Sequence, residues 1–155
     1  MIEGTVPEVY GDPALLLPLI YSKNAYSGAK LYKRGIIPHY IDKKAHPTLE
    51  DGDHLIDVLR PWPEVVDEIL RCEAVVSSSL HGIVVAEAYG IPATWAVWSS
   101  KVIGGPLKFH DYFLGTGREA YEPGEALPPI PELAARQQML LQALHSCFPM
   151  KYAVE

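Results

Sequence analysis

The 155-residue chain has no cluster of Lys or Arg; 13 basic residues face 19 acidic ones, for a formal charge of −6. That balance argues against nucleic acid as a partner, because phosphate-backbone binding requires a basic stripe or face. No uncharged run is long enough to span a bilayer. The longest near the start, PALLLPLIYS (Pro13 to Ser22), is too short and contains two prolines. The first residues are acidic and lack the basic start of a secretory signal, so a cytoplasmic location is expected, with contact at the inner face of a membrane left open. Only two cysteines occur, Cys72 and Cys147, without CxxC spacing, and buried reduced thiols are the simplest expectation.

Several catalytic signatures are also missing. There is no Walker loop, no GxGxxG and no GxSxG elbow, and Gly115-Thr116-Gly117 matches no nucleotide fingerprint. His39, His46 and His54 lack metal-ligand spacing, so no metal is expected.

What is present is a core-forming composition, 48% hydrophobic, arranged as alternating strands and helices. Residues 1–12 read as a tail and 13–155 as a single domain. Gly11-Asp12-Pro13 is turn chemistry, and Pro13 opens a short helix over Ala14 to Leu17. GIIPHY (Gly35 to Tyr40) reads as a strand that Pro38 would confine to an edge or bulge. HLIDVL (His54 to Leu59) is a second strand. The helix Glu64 to Cys72 places Val65, Val66, Ile69 and Leu70 on one face, acids in its first turns and Arg71 in its last. Ala74 to Ser77 is a third strand. The second helix, Leu80 to Tyr89, is closed by Gly90 with Pro92 just beyond. TWAVW (Thr94 to Trp98) is a fourth strand. Ser99 to Glu125, with five glycines and two prolines, reads as loop, and a last helix runs from Pro131 to about His145.

This alternation predicts an α/β fold: a small parallel Rossmann-like sheet flanked by helices. A parallel sheet has to be covered on both faces, and three or four helices barely suffice. A further lobe or a second copy of the chain, as a homodimer, is therefore expected to complete it.

Ligands of open α/β sheets gather beyond the carboxyl ends of the strands. Those ends deliver His39, then Arg60, then Ser77, Ser78, Ser79 and His81, with Lys108 and Asp111 in the loop after strand four. The set suits an anion. Three serines ahead of an apolar helix offer an N-cap and spare hydroxyls, and Gly82 in the first turn would let a ligand approach the backbone. The free N–H groups there suit phosphate or carboxylate, and His81 beside them could move a proton near neutral pH. Each feature also has a plainer explanation: capping for the serines, a structural histidine, surface charge for Arg60 and Lys108. Glu87 is the lone carboxylate on an apolar helix, so it requires a partner, either a ligand hydroxyl or a neighbouring donor.

Four segments together resemble the polysaccharide pyruvyl transferase family, the branch that adds pyruvate ketals to bacterial exopolysaccharides such as succinoglycan and xanthan. They are GDPALLLP (Gly11 to Pro18), GIIPHYID (Gly35 to Asp42), SSSLHGIVVAEAYGIP (Ser77 to Pro92) and KFHDYF (Lys108 to Phe113). The resemblance implies a transferase with phosphoenolpyruvate as donor and no cofactor. It further implies a lipid-linked or nucleotide-linked oligosaccharide as acceptor and an architecture of two Rossmann-like lobes of GT-B type. It covers only the C-terminal half of such enzymes, so the chain alone is expected to be inactive. Under this resemblance His81 is the acid or base, Ser77 to Gly82 hold the donor's phosphate and carboxylate, and Arg60 or Lys108 supplies the cation. Some members carry Arg where this chain has Ser79. A nucleotide-sugar GT-B glycosyltransferase, with Glu87 on ribose hydroxyls, is the competing expectation. A non-catalytic half or dimeric binding module is the third.

Overall fold

The computed structural model describes residues 8–22 and 28–147; the first seven residues of the expected tail lie outside them. A 3-10 turn (Pro13–Leu16) runs into the short helix α1 (Leu17–Ile20). There follow β1 (Tyr32–Ile37), a 3-10 turn (Tyr40–Asp42), β2 (Asp53–Leu55), α2 (Trp62–Leu70) and β3 (Cys72–Ser77). Then come α3 (Leu80–Ala88), β4 (Ala93–Trp95), α4 (Leu107–Gly115) and α5 (Leu133–Cys147). The four strands form one sheet in the order β2-β1-β3-β4, with every pairing parallel. The expected α/β, Rossmann-like class is the observed one.

Strand bounds shift by a few residues. β1 stops at Ile37, so Pro38 lies just past its end, and the strand sits in the middle of the sheet rather than at an edge. A proline immediately after a strand removes no ladder hydrogen bond, so it places no limit on the strand's position. β2 is shorter than expected because Asp57 turns the chain: its carboxylate accepts the Leu59 amide at 3.1 Å.

One helix was missed. α4 lies inside the stretch expected to be loop, and Phe109, Tyr112 and Phe113, at i, i+3 and i+4, are its buried face. Phe109 stacks on Trp95 of β4 with ring centroids 4.6 Å apart.

The strand register puts Gly35, Ile37, Val75, Ser77, Ala93 and Trp95 on one face. α2 and α3 follow crossovers that step the same way along the sheet, contact each other, and share that face. α4 joins them through Trp95. The opposite face carries Arg34, Ile36, Leu55, Ala74, Val76 and Thr94, crossed by the β1–β2 connection, which contains no α-helix. Leu55 there is 38% exposed, so the helical cover is one-sided among the described residues.

Apart from His81, exposed in its first turn, α3 is mostly apolar and packed between the sheet, the Pro13–Leu16 turn and α2. Gly82 is what lets it sit so close. A Cβ there would lie 2.5 Å from Ser77 Oγ and 2.9 Å from Ile37 Cγ2. The glycine is required for this helix–sheet packing. Of the cysteines, Cys72 is buried, and burial pushes its thiol up to about 11. Cys147 is exposed, contrary to expectation.

Candidate functional site

The chain leaves β1 toward β2 on one side and returns to β3 on the other, so the order reverses between β1 and β3. Beyond the carboxyl ends of such a pair the two crossovers diverge and leave a crevice. His39 follows β1, and Ser77 to His81 follow β3.

The serines do something other than cap. Ser77 Oγ lies 3.0 Å from the Ile37 carbonyl and 2.8 Å from that of Ser79, and it accepts the Ser79 amide at 3.0 Å. Fully buried, Ser77 shapes the loop and presents nothing to a ligand. Ser78 Oγ accepts the His39 amide at 2.9 Å, which ties the two strand ends together. Ser79 occupies the N-cap position of α3 but its side chain makes no capping bond. Among the described residues the first-turn N–H groups of α3 thus have no side-chain acceptor, at the positive end of the helix dipole.

His81 stands at that open turn with its side chain 72% exposed. Its Nε2 lies 3.4 Å from Asp12 Oδ2, while Asp12 Oδ1 accepts the Ala14 amide at 2.8 Å and caps the Pro13–Leu16 turn. A carboxylate fixed by a backbone N–H is a preorganised partner for an imidazole. The Asp12 hydrogen bond holds the His81 imidazolium form above its usual range, against burial and the nearby Lys108 charge. Asp12 is correspondingly held below the usual carboxylate range, chiefly by His81.

Lys108 projects from α4 toward the same place. Burial lowers its pKa, and it forms no ion pair among the described residues. His39 is shifted down by burial and then by the Lys108 charge. Lys108, Asp111 and Asp12 line one cleft of about 700 Å³ with Tyr10 and Leu80. Arg60 lines a smaller cavity of about 220 Å³ beside His81, Ser79 and Gly82. Its guanidinium is already engaged, 2.5 Å from Glu64 and hydrogen-bonded to Glu68. Of the two candidate cations, Arg60 is held by carboxylates, whereas the Lys108 ammonium lies over the Phe109 ring, 5.4 Å from its centroid.

Glu87 lies at the far end of α3, and neighbouring donors satisfy it. Arg118 grips both carboxylate oxygens (Nη2 to Oε2 at 3.0 Å), and the Tyr112 hydroxyl donates to Oε2 at 2.7 Å. Arg118 also donates to Thr116 Oγ1 and to the Pro128 carbonyl. Burial first and Glu87 second push the Tyr112 phenol upward.

Three contributors were not legible in the sequence. Asp12 and Asp42 lie inside the GDPALLLP and GIIPHYID segments without standing out there as site residues, and Arg118 lies in the stretch expected to be loop. Asp42 is fully buried beyond β1 and accepts a hydrogen bond from Ser99 Oγ.

An α/β domain whose switch-point helix opens onto an imidazole–carboxylate pair and a lone lysine is the class these observations define. Residues 2–100 match the family model described as polysaccharide pyruvyl transferase, and the chain belongs to that family. It is 36% identical over 121 residues to the uncharacterized protein L143 of Acanthamoeba polyphaga mimivirus, covering 72% of this chain and 42% of that protein. It is 29% identical over 115 residues to the succinoglycan biosynthesis protein ExoV of Rhizobium meliloti, covering 70% of this chain and 35% of ExoV. The chain therefore spans well under half the length of these curated relatives. No solved structure gives a significant match. Among the described residues, no helix is long and apolar enough to cross a membrane.

Proposed function

We propose that this chain is the donor-binding lobe of a pyruvyl transferase that moves pyruvate from phosphoenolpyruvate onto a sugar of an exopolysaccharide precursor as a ketal. The observation that carries the reading is convergence. Three separate family-like segments come together: Asp12 pairs with His81 at 3.4 Å and lines one cleft with Lys108 and with Leu80, the first residue of α3.

The chemistry suits those groups. Two sugar oxygens bond to C2 of the enol phosphate, whose bond to phosphate breaks. One hydroxyl proton ends on the methylene carbon, which becomes methyl, and the other leaves with phosphate. His81, with Asp12 behind it, relays a proton at the reacting face. The α3 N–H groups and Lys108 hold the donor's phosphate and carboxylate and meet the charge that develops on departure. The acceptor is a lipid- or nucleotide-linked oligosaccharide in this reading, and a second lobe or a second copy of the chain completes the GT-B-type enzyme at the inner membrane face.

The nucleotide-sugar alternative loses its main support in Glu87, whose oxygens Arg118 and Tyr112 occupy. A thermal-unfolding comparison tests the choice. Phosphoenolpyruvate is expected to raise the midpoint more than UDP or CMP at equal concentration, and the reverse ranking overturns the reading. In a form that turns over, His81→Ala is expected to slow phosphate release by about 10²–10⁴-fold, as for loss of a general acid–base.

A further inference from the structure

Beyond the carboxyl ends of β3 and β4 lies a separate cavity of about 230 Å³, lined in part by Asp42, Ser78, Trp95, Ser99, Ser100 and Phe109. Two of its lining residues hold a buried polar atom with no hydrogen-bond partner among the described residues: Asp42 Oδ2, an acceptor, and Trp95 Nε1, a donor. Asp42 is 0% exposed and Trp95 1%. Buried groups left unpaired lose their hydration with nothing in exchange, and native proteins rarely tolerate that without a tenant.

The two orphans are complementary to a single kind of group. A hydroxyl donates to a carboxyl oxygen and accepts from an indole N–H. The remaining lining divides into serine hydroxyls and apolar surface from Trp95, Val97, Val102, Pro106 and Phe109. Among the described residues it contains no Lys or Arg, so no cationic side chain there would hold an anion. Alternating hydroxyl partners and apolar wall match a neutral pyranose ring, with hydroxyls at its rim and C–H groups on its faces. The volume falls below the roughly 300–1,000 Å³ of sites for drug-sized ligands, consistent with one ring rather than a chain. The cavity also neighbours the α3 start: its lining residue Ser78 lies in the β3–α3 loop and accepts the His39 amide, and the Asp42 charge acts on Lys108 and on His39.

We propose that the Asp42–Trp95 cavity binds a neutral pyranoside through its hydroxyls and, resting on the pyruvyl transferase reading, that it seats the acceptor sugar beside the donor site. A hydroxyl placed between Asp42 and Trp95 would anchor the ring, and the sugar's reacting hydroxyls would face Lys108 and the α3 turn.

The test follows the Trp95 indole N–H by nitrogen–proton correlation NMR. Methyl β-D-glucopyranoside and methyl β-D-galactopyranoside are titrated into the 155-residue chain. A saturable shift of that signal is expected, with affinity at least tenfold weaker in Asp42→Asn and in Ser99→Ala. An indole signal that stays fixed up to the solubility of both glycosides overturns the proposal, as does a shift unchanged in both variants. An indole proton protected from exchange by an internal water, with no response to sugar, leaves a structural water only and also overturns it. Phosphoenolpyruvate protection is measured on the same samples. Protection without glycoside binding sinks the sugar site alone, whereas glycoside binding without protection supports this cavity and sinks the pyruvyl-donor reading.

Discussion

The two ends of α3 treat their ionisable groups in opposite ways. At its C-terminal end, Glu87 and Arg118 are 6% and 2% exposed, and every strong donor and acceptor between them is matched. At its N-terminal end, His81 is mostly exposed, its carboxylate partner Asp12 sits at 3.4 Å, and among the described residues no side chain caps the helix. A buried charge with a full set of partners is fixed in place and has nothing left to offer a substrate. A half-open pair beside free N–H groups can bind and exchange protons. The same helix thus carries a structural clasp and a candidate site, told apart by which hydrogen bonds remain unmade.

Breaking the clasp should give the largest effect. Arg118→Met leaves the Glu87 carboxylate buried without its cation, and a loss of about 3–5 kcal/mol is expected in urea unfolding. Pairing it with Glu87→Leu should restore most of that loss, because both buried charges are then gone. If the single variant behaves like a surface substitution, the clasp is not structural.

Gly82→Ala comes next. Its methyl would collide with Ser77 Oγ and Ile37 Cγ2, and about 1–3 kcal/mol of overpacking strain is expected. The same change should weaken phosphoenolpyruvate binding indirectly, by displacing the α3 start. A neutral stability effect would mean the helix approaches the sheet less closely than the structure shows.

At the open end, His81→Ala should change stability by no more than about 0.5 kcal/mol, as for exposed positions, while slowing phosphate release by about 10²–10⁴-fold in a form that turns over. Loss of stability comparable to Arg118→Met would make the two ends alike and remove the contrast.

The smallest effect is the pH dependence of the Asp12–His81 pair. The His81 pKa is raised from 6.5, so its share of the stabilisation is full below that value and fades as pH rises through the higher folded-state pKa. The Asp12 pKa is lowered from 3.8, so its share is present above that value and fades as pH falls through the lower folded-state one. The pair therefore contributes most between about pH 4 and 6.5, by less than about 0.5 kcal/mol given its exposure. Proton NMR of the His81 ring should show its pKa fall in Asp12→Asn. An unchanged titration would detach Asp12 from the site.

Much of the fold was legible because α2, β3 and α3 carry strong local signals: one apolar face, a short β-branched run, and Gly90 with Pro92 as a stop. α4 was hidden between Gly105-Pro106 and Gly117, where breakers outweighed the Phe109, Tyr112, Phe113 spacing. The position of His81 at a strand–helix junction could be read directly. Its partner could not, since Asp12 lies 69 positions earlier and meets it only when the Pro13–Leu16 turn packs on α3. Likewise the need of Glu87 for a partner was evident, but the choice of Arg118 over a ligand required the tertiary fold. Ser77 misled because a serine before a helix usually caps it, whereas here its hydroxyl is held by the Ile37 carbonyl of β1.

The contrast between the two ends of α3 is tested most directly by mapping phosphoenolpyruvate on the backbone amides. The account predicts saturable shifts at Ser79, Leu80, His81 and Gly82 and at Lys108, lost in a Lys108→Ala variant, with Glu87, Gly90 and Arg118 unmoved. Shifts centred on Glu87 and Arg118, or none at the α3 start at saturating ligand, would contradict it.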